Sequence, residues 1–203
     1  MAQYKPQFNL KEKGQSLVEV ALFLPIFLVI IAGLVEVSNI LVTQNSVHNA
    51  ARVGARFGAS GGEDVGIALA ALNSVTDVLD LEDTVWDIWA IRGKVAEDGT
   101  SFEEWEFNHS YGQKQTEAFS SVVEADIKAE VLKQLQTDEN GNTPKKIAAG
   151  LDFVGTYLVY DLNSILGLNA LESLAGITSV RSLNVMRNQG VDEVTTDACT
   201  AFP

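Results

Sequence analysis

The residues best placed to do chemistry lie in one short run near the start, Lys13-Gly14-Gln15-Ser16-Leu17-Val18-Glu19. Glu19 stands inside the beginning of a long apolar stretch, where an ionised carboxylate is expensive unless a cation pairs with it. No Lys or Arg follows within one helical turn. A cut between Gly14 and Gln15 would create an α-amino cation four residues upstream, the natural partner for that carboxylate. The plainer reading is a side chain that snorkels to the near interface, since Glu19 is only a turn or so into the stretch.

Elsewhere the reactive residue types are scattered. His48 and His109 are the two histidines, and neither has a cysteine or second histidine at ligand spacing. Asp138, Asn140 and Asn142 alternate like the first half of a calcium loop, but the twelfth place is Ala149, where a bidentate glutamate would be needed. There is no phosphate-cradling glycine loop and no Gly-x-Ser-x-Gly elbow. The expectation is a protein that is not an enzyme and holds no metal or cofactor.

The element that must position Gly14 and Glu19 is an apolar helix. Val20 to Val35 is unbroken apolar or small sequence, and Leu17, Val18, Val37, Ile40, Leu41 and Val42 extend it. Residues 17 to 42 would span roughly 39 Å as a helix, more than a hydrocarbon core of about 30 Å. Lys5, Lys11 and Lys13 precede the stretch and no Lys or Arg follows until Arg52, which places the N-terminus in the cytoplasm and residues 43 to 203 outside. A cleaved secretory signal has a similar start, but this run is long and no Ala-x-Ala type site closes it. Pro25 removes one backbone hydrogen bond, to Ala21, and is expected to kink or loosen the helix. Glu36 falls near the outer interface, where it could reach water.

Beyond the span the helical pattern continues to Ala59, with Ala50, Gly54 and Gly58 on one stripe and Ala51 and Ala55 on its neighbour. Small residues four apart let a helix or a sheet approach closely. Arg52 and Arg56 share the adjoining stripe and read as a solvated face, and Gly61-Gly62 reads as the stop. Further helices are expected over 63–80 and 114–136, and a short one within 164–174. Strands are expected over 84–95, from Phe102 through Phe107, over 153–162 and over 177–186, with Asp98-Gly99 turning the first pair into a hairpin. Trp86, Trp89 and Trp105 fall in that hairpin and read as core and sheet-face packing. Asp138 to Pro144 reads as a loop. The order implies an α+β fold, an antiparallel sheet with helices on one face.

Composition constrains the partners. Residues 43 to 203 carry 11 Lys and Arg against 24 Asp and Glu, a formal charge of −13. Such a surface repels phosphate backbones, so nucleic acid is not an expected partner. One cysteine, Cys199, leaves no possibility of an intrachain disulfide.

The run around Gly14 and Glu19, followed by an apolar helix with Leu24-Pro25, resembles the N-terminus of type IV pilin-like proteins. Within that superfamily, Gly-Gln-Ser-Leu-Val-Glu, the Leu-Pro step, Gly33-Leu34-Val35-Glu36 and Asn49-Ala50-Ala51-Arg52-Val53-Gly54-Ala55-Arg56 resemble the TadE-like pseudopilins of tight adherence (Tad) pili. The resemblance covers about 15 to 59, and Gln15 stands where major type IV pilins commonly have an aromatic residue. It implies cleavage after Gly14 by a membrane prepilin peptidase, a docking role for Glu19 in a pilus or assembly complex, and packing beside other pilin-like helices. The implied organisation is a cytoplasmic leader (1–14), a transmembrane and assembly helix (15–60) and an acidic outer domain (61–203). The chief alternative is a membrane-tethered binding module that never enters a filament; a tethered enzyme ranks third.

Overall fold

The computed structural model describes residues 10–136, 147, 149–163 and 177–188, of which 10–16 are backbone alone. The expected loop over 138–144, the short helix within 164–174, the leader up to residue 9 and Cys199 lie outside the described residues.

Helix α1, Leu10–Ala59, runs unbroken for 50 residues, through Pro25. It stops where glycine supplies a backbone conformation other residues resist. Gly61 has φ +88°, its N–H donates to the Gly58 carbonyl, and the Gly62 N–H donates to the Phe57 carbonyl. These two bonds close a Schellman cap. Helix α2, Asp64–Asn73, returns alongside α1 with Ile67, Ala68, Ala71 and Leu72 buried. It is shorter than the expected 63–80, because the Ser74 hydroxyl donates to the Ala71 carbonyl and the chain leaves the helix in tight turns.

Four strands follow: β1 (Trp86–Val95), β2 (Phe102–Tyr111), β3 (Asp152–Asp161) and β4 (Ser179–Arg187). They form one antiparallel sheet in the order β2-β1-β3-β4. The hairpin turns where expected: Asp98 accepts from the Thr100 and Ser101 amides and Gly99 adopts φ +67°. β3 is buried from Phe153 through Tyr160, so both faces of the sheet are covered there.

Helices lie on both faces, not on one as the element order suggested. On the first face Trp86, Ile88, Leu158, Tyr160 and Val180 pack with Val47, Ala50 and Ala51 of α1 and with Ala68, Ala71 and Leu72 of α2. On the second, Trp89, Ile91, Phe153, Tyr157 and Val159 pack under Ile127, Val131 and Leu135 of α3, Glu124–Gln136. The sequence expected one helix from Lys114 to Gln136; instead the chain runs irregularly to a single 3-10 turn, Phe119–Ser121, before α3 begins. Carboxylates of the sheet capture the N–H groups that a helix would have used. Asp87 accepts from the amides of Lys114 and Thr116, and Asp161 from that of Glu117.

The position of α1 on the sheet follows from three contacts. A Cβ on Gly58 would lie 2.4 Å from Val154, and one on Gly54 would lie 2.9 Å from Thr156. The Asn39 side-chain amide donates to the Asn163 carbonyl. Nineteen residues of helix, from 58 back to 39, cover about 28 Å. Seven steps of β3, from 154 to 161, with the two residues that follow it, cover about 30 Å. Equal lengths between matched contacts require nearly parallel axes, so the strands stand along α1 and β3 runs back toward the helix's N-terminal half.

The candidate assembly helix

Gly14 and Gln15 lie within the helical backbone of α1's second turn. Glu19 follows a little over one turn later and is exposed, on a bare part of the helix that includes Phe23, Leu24, Pro25 and Phe27. The helix is long and apolar enough to cross a membrane once; its most apolar 18 residues have a mean hydropathy of 2.7, and none of that stretch is buried.

The free length is shorter than the sequence suggested. Glu36 was expected to reach water, but only 4 % of it is exposed, and it begins a buried stripe that continues through Thr43, Val47, Ala50, Ala51 and Ala55. Those positions recur at three and four residues, so one side of α1 faces the head from Glu36 upward. Residues 17 to 35 stand clear of it, a length of about 28 Å that matches a bilayer core of about 30 Å. The outer end of the free span is therefore near Val35 instead of Val42.

Ala50, Gly54, Gly58, Ala51 and Ala55 all lie in the buried stripe, against α2 and the sheet of their own chain. Their smallness serves the head's own fold: Gly58 admits both Val154 and the Ile67 side chain, and Gly54 admits Thr156 and the Ile67 carbonyl. Arg52 and Arg56 point away from the sheet and are exposed. His48, on the flank of α1, shares a 2.8 Å hydrogen bond with the buried Ser182 of β4 and ties helix to sheet.

One polar group of weight was missed in the sequence. Asp87, fully buried in β1, is 2.7 Å from His109 Nε2 and 2.6 Å from the Thr116 hydroxyl that donates to it, besides the two amides already named. A lone Asp between Trp86 and Ile88 was the available signal, because a carboxylate buried among the apolar residues of a strand must be surrounded by donors. The group closes the end of the β1–β2 hairpin. Nearby, burial pushes the Asp161 carboxyl above the usual carboxylate range, against the pull of the Glu117 amide. Among the described residues no three His, Cys, Asp or Glu side chains gather as a metal site would require.

The model of the TadE-like protein family matches residues 14–56. Over that range the helix is similar to those of TadE-like proteins. The match opens on Gly14, takes in Glu19, Pro25 and the whole free span, and closes on Arg56, leaving the head from Phe57 onward outside it. Such a match is consistent with a TadE-like protein of Tad pili. Neither a curated protein nor a solved structure matches the chain.

Proposed function

We propose that this chain is a TadE-like pseudopilin, a structural or assembly subunit of a Tad-type pilus that acts in pilus biogenesis and adhesion. It is anchored by residues 17–35 in the cytoplasmic membrane, with its N-terminus in the cytoplasm and its acidic head outside. A prepilin peptidase cuts between Gly14 and Gln15, and the mature helix packs beside other pilin-like helices. The observation that supports this reading is the family match over 14–56, a range that takes in Gly14, Glu19 and the exposed apolar part of α1. In hydrocarbon the Glu19 carboxylate gains most from a cation, and the α-amino group freed at Gln15, on this chain or its neighbour, supplies one.

Glu19→Ala tests the assembly role. Cleavage continues in this variant, while co-isolation with other pilin-like subunits and surface piliation fall. Unchanged piliation would remove Glu19 from assembly and favour a tethered binding module.

A further inference from the structure

The last residues of β2 include Asn108-His109-Ser110, an asparagine two places before a hydroxyl with a residue other than proline between them. No other asparagine of the chain has that arrangement. It is the acceptor pattern of N-glycosylation, in which a sugar is joined to the side-chain amide of an asparagine followed at this spacing by Ser or Thr. Glu106, two residues ahead, adds a carboxylate of the kind that an arginine of a transferase can grip with two hydrogen bonds.

The fold keeps this acceptor within reach. β2 is an edge strand, with β1 its one neighbour in the sheet among the described residues. The register passes from His109 opposite Trp89 to Tyr111 opposite Ile88, so Ser110 is the extra residue of a β-bulge, one place from the strand's end. Its hydroxyl turns back and donates to the Asn108 carbonyl at 3.1 Å. The acceptor is thus curled on itself, with hydroxyl and asparagine held close. His109 turns inward to Asp87, while Asn108 is exposed. A bulged strand end paired on one side opens at lower cost than a strand held on both.

The surroundings also accommodate a sugar. Asn108 Nδ2 donates to Asp64 Oδ2 at 3.0 Å, and the amide left after transfer still has one N–H to give. Asp64 is the first residue of α2, so a sugar on Asn108 is rooted beside the outer side of that helix, where Val65 and Leu69 are 63 % and 52 % exposed. Apolar side chains left bare on a head in water invite association, and a hydrated oligosaccharide over them prevents it.

We propose that Asn108 is an N-glycosylation site that takes an oligosaccharide from a donor carried on a membrane polyprenyl diphosphate. In the transfer Nδ2 forms a bond to C1 of the donor's reducing-end sugar, and the C1–O bond to the diphosphate breaks. The polyprenyl diphosphate leaves with the bonding pair, and the proton lost by Nδ2 goes to a base of the transferase. The inference rests on the proposed function only in requiring the head to lie outside the membrane.

The test takes the full chain from native membranes and digests it with trypsin. Cleavage after Lys94 and Lys114 isolates the acceptor in the peptide 95–114. That peptide carries the added mass of an oligosaccharide, and electron-transfer fragmentation places it on Asn108. Ser110→Thr keeps the modification because it keeps the hydroxyl, whereas Ser110→Ala and Asn108→Gln each abolish it. An unmodified peptide, a sugar on Thr100, Ser101 or Ser110 instead, or a modification that survives Ser110→Ala would overturn the proposal. Trypsin added to cells whose outer envelope has been opened scores the side of the head separately. Release of an unmodified peptide from such cells sinks the modification alone, and a protected head sinks the orientation with it.

Discussion

Asp87 illustrates how much of the head depends on one carboxylate. Its four donors come from His109, Lys114 and Thr116, so removing it strands several buried groups at once. Breaking such a buried set costs about 3–5 kcal/mol. Asp87→Ala should therefore lower the urea midpoint of the full chain in detergent sharply, read by the fluorescence of the buried Trp86 and Trp89. Asp98 is the exposed counterpart. The Thr100 amide foremost, then the Thr100 and Ser101 hydroxyls, hold its carboxyl down to about 2. A carboxyl depressed on folding stabilises its turn above the unfolded value of 3.8 and loses that contribution as pH falls through about 2. The amide resonances of Thr100 and Ser101 should accordingly shift between pH 4 and pH 2, with a midpoint near the lower end; a midpoint at the ordinary aspartate value would contradict the hydrogen bonding. At this scale Asp98-Gly99 was legible because a turn is local. Asp87 was not, since its donors lie 22 to 29 residues away.

Among the elements, α1 was the most legible because hydropathy and small-residue spacing both mark it, yet its two halves have different work. The lower half is bare and the upper half is the spine of the head. Gly33 and Gly58 make the contrast testable. A Cβ at Gly33 meets nothing within 4 Å, whereas at Gly58 it meets Val154 at 2.4 Å and Ile67 at 2.7 Å. Gly58→Ala should destabilise the head by about 1–3 kcal/mol, while Gly33→Ala leaves it unchanged. Thermal unfolding of both variants in the same detergent checks this, and equal midpoints would deny the close packing of α1 on β3. The helix expected over 114–136 failed for the reason Asp87 was missed: its first third is claimed by carboxylates distant in sequence. β3 carried a stronger signal than its β-prone composition, a run from Phe153 to Tyr160 with no charged residue, as expected of a strand buried on both faces. That run already implied a second layer of helix.

For the whole molecule, charge and hydropathy divide the chain into a bare apolar rod and an acidic head, and the strands of the head stand along the rod. Anchored upright in a membrane, as proposed, such a body would present its side surfaces, not its tip, to neighbouring chains. The family match covers the rod and the first part of the spine, which is where the proposed assembly chemistry resides. Which helix covers which face of the sheet was not legible, because neither the order nor the periodicity of helices states which side each will take. The central claim is that Gly14 and Glu19 mark a processed assembly helix, and the intact mass of the chain isolated from membranes of cells that contain the peptidase tests it most directly. A chain beginning at Gln15 is the expected result; a chain still beginning at Met1 would contradict it.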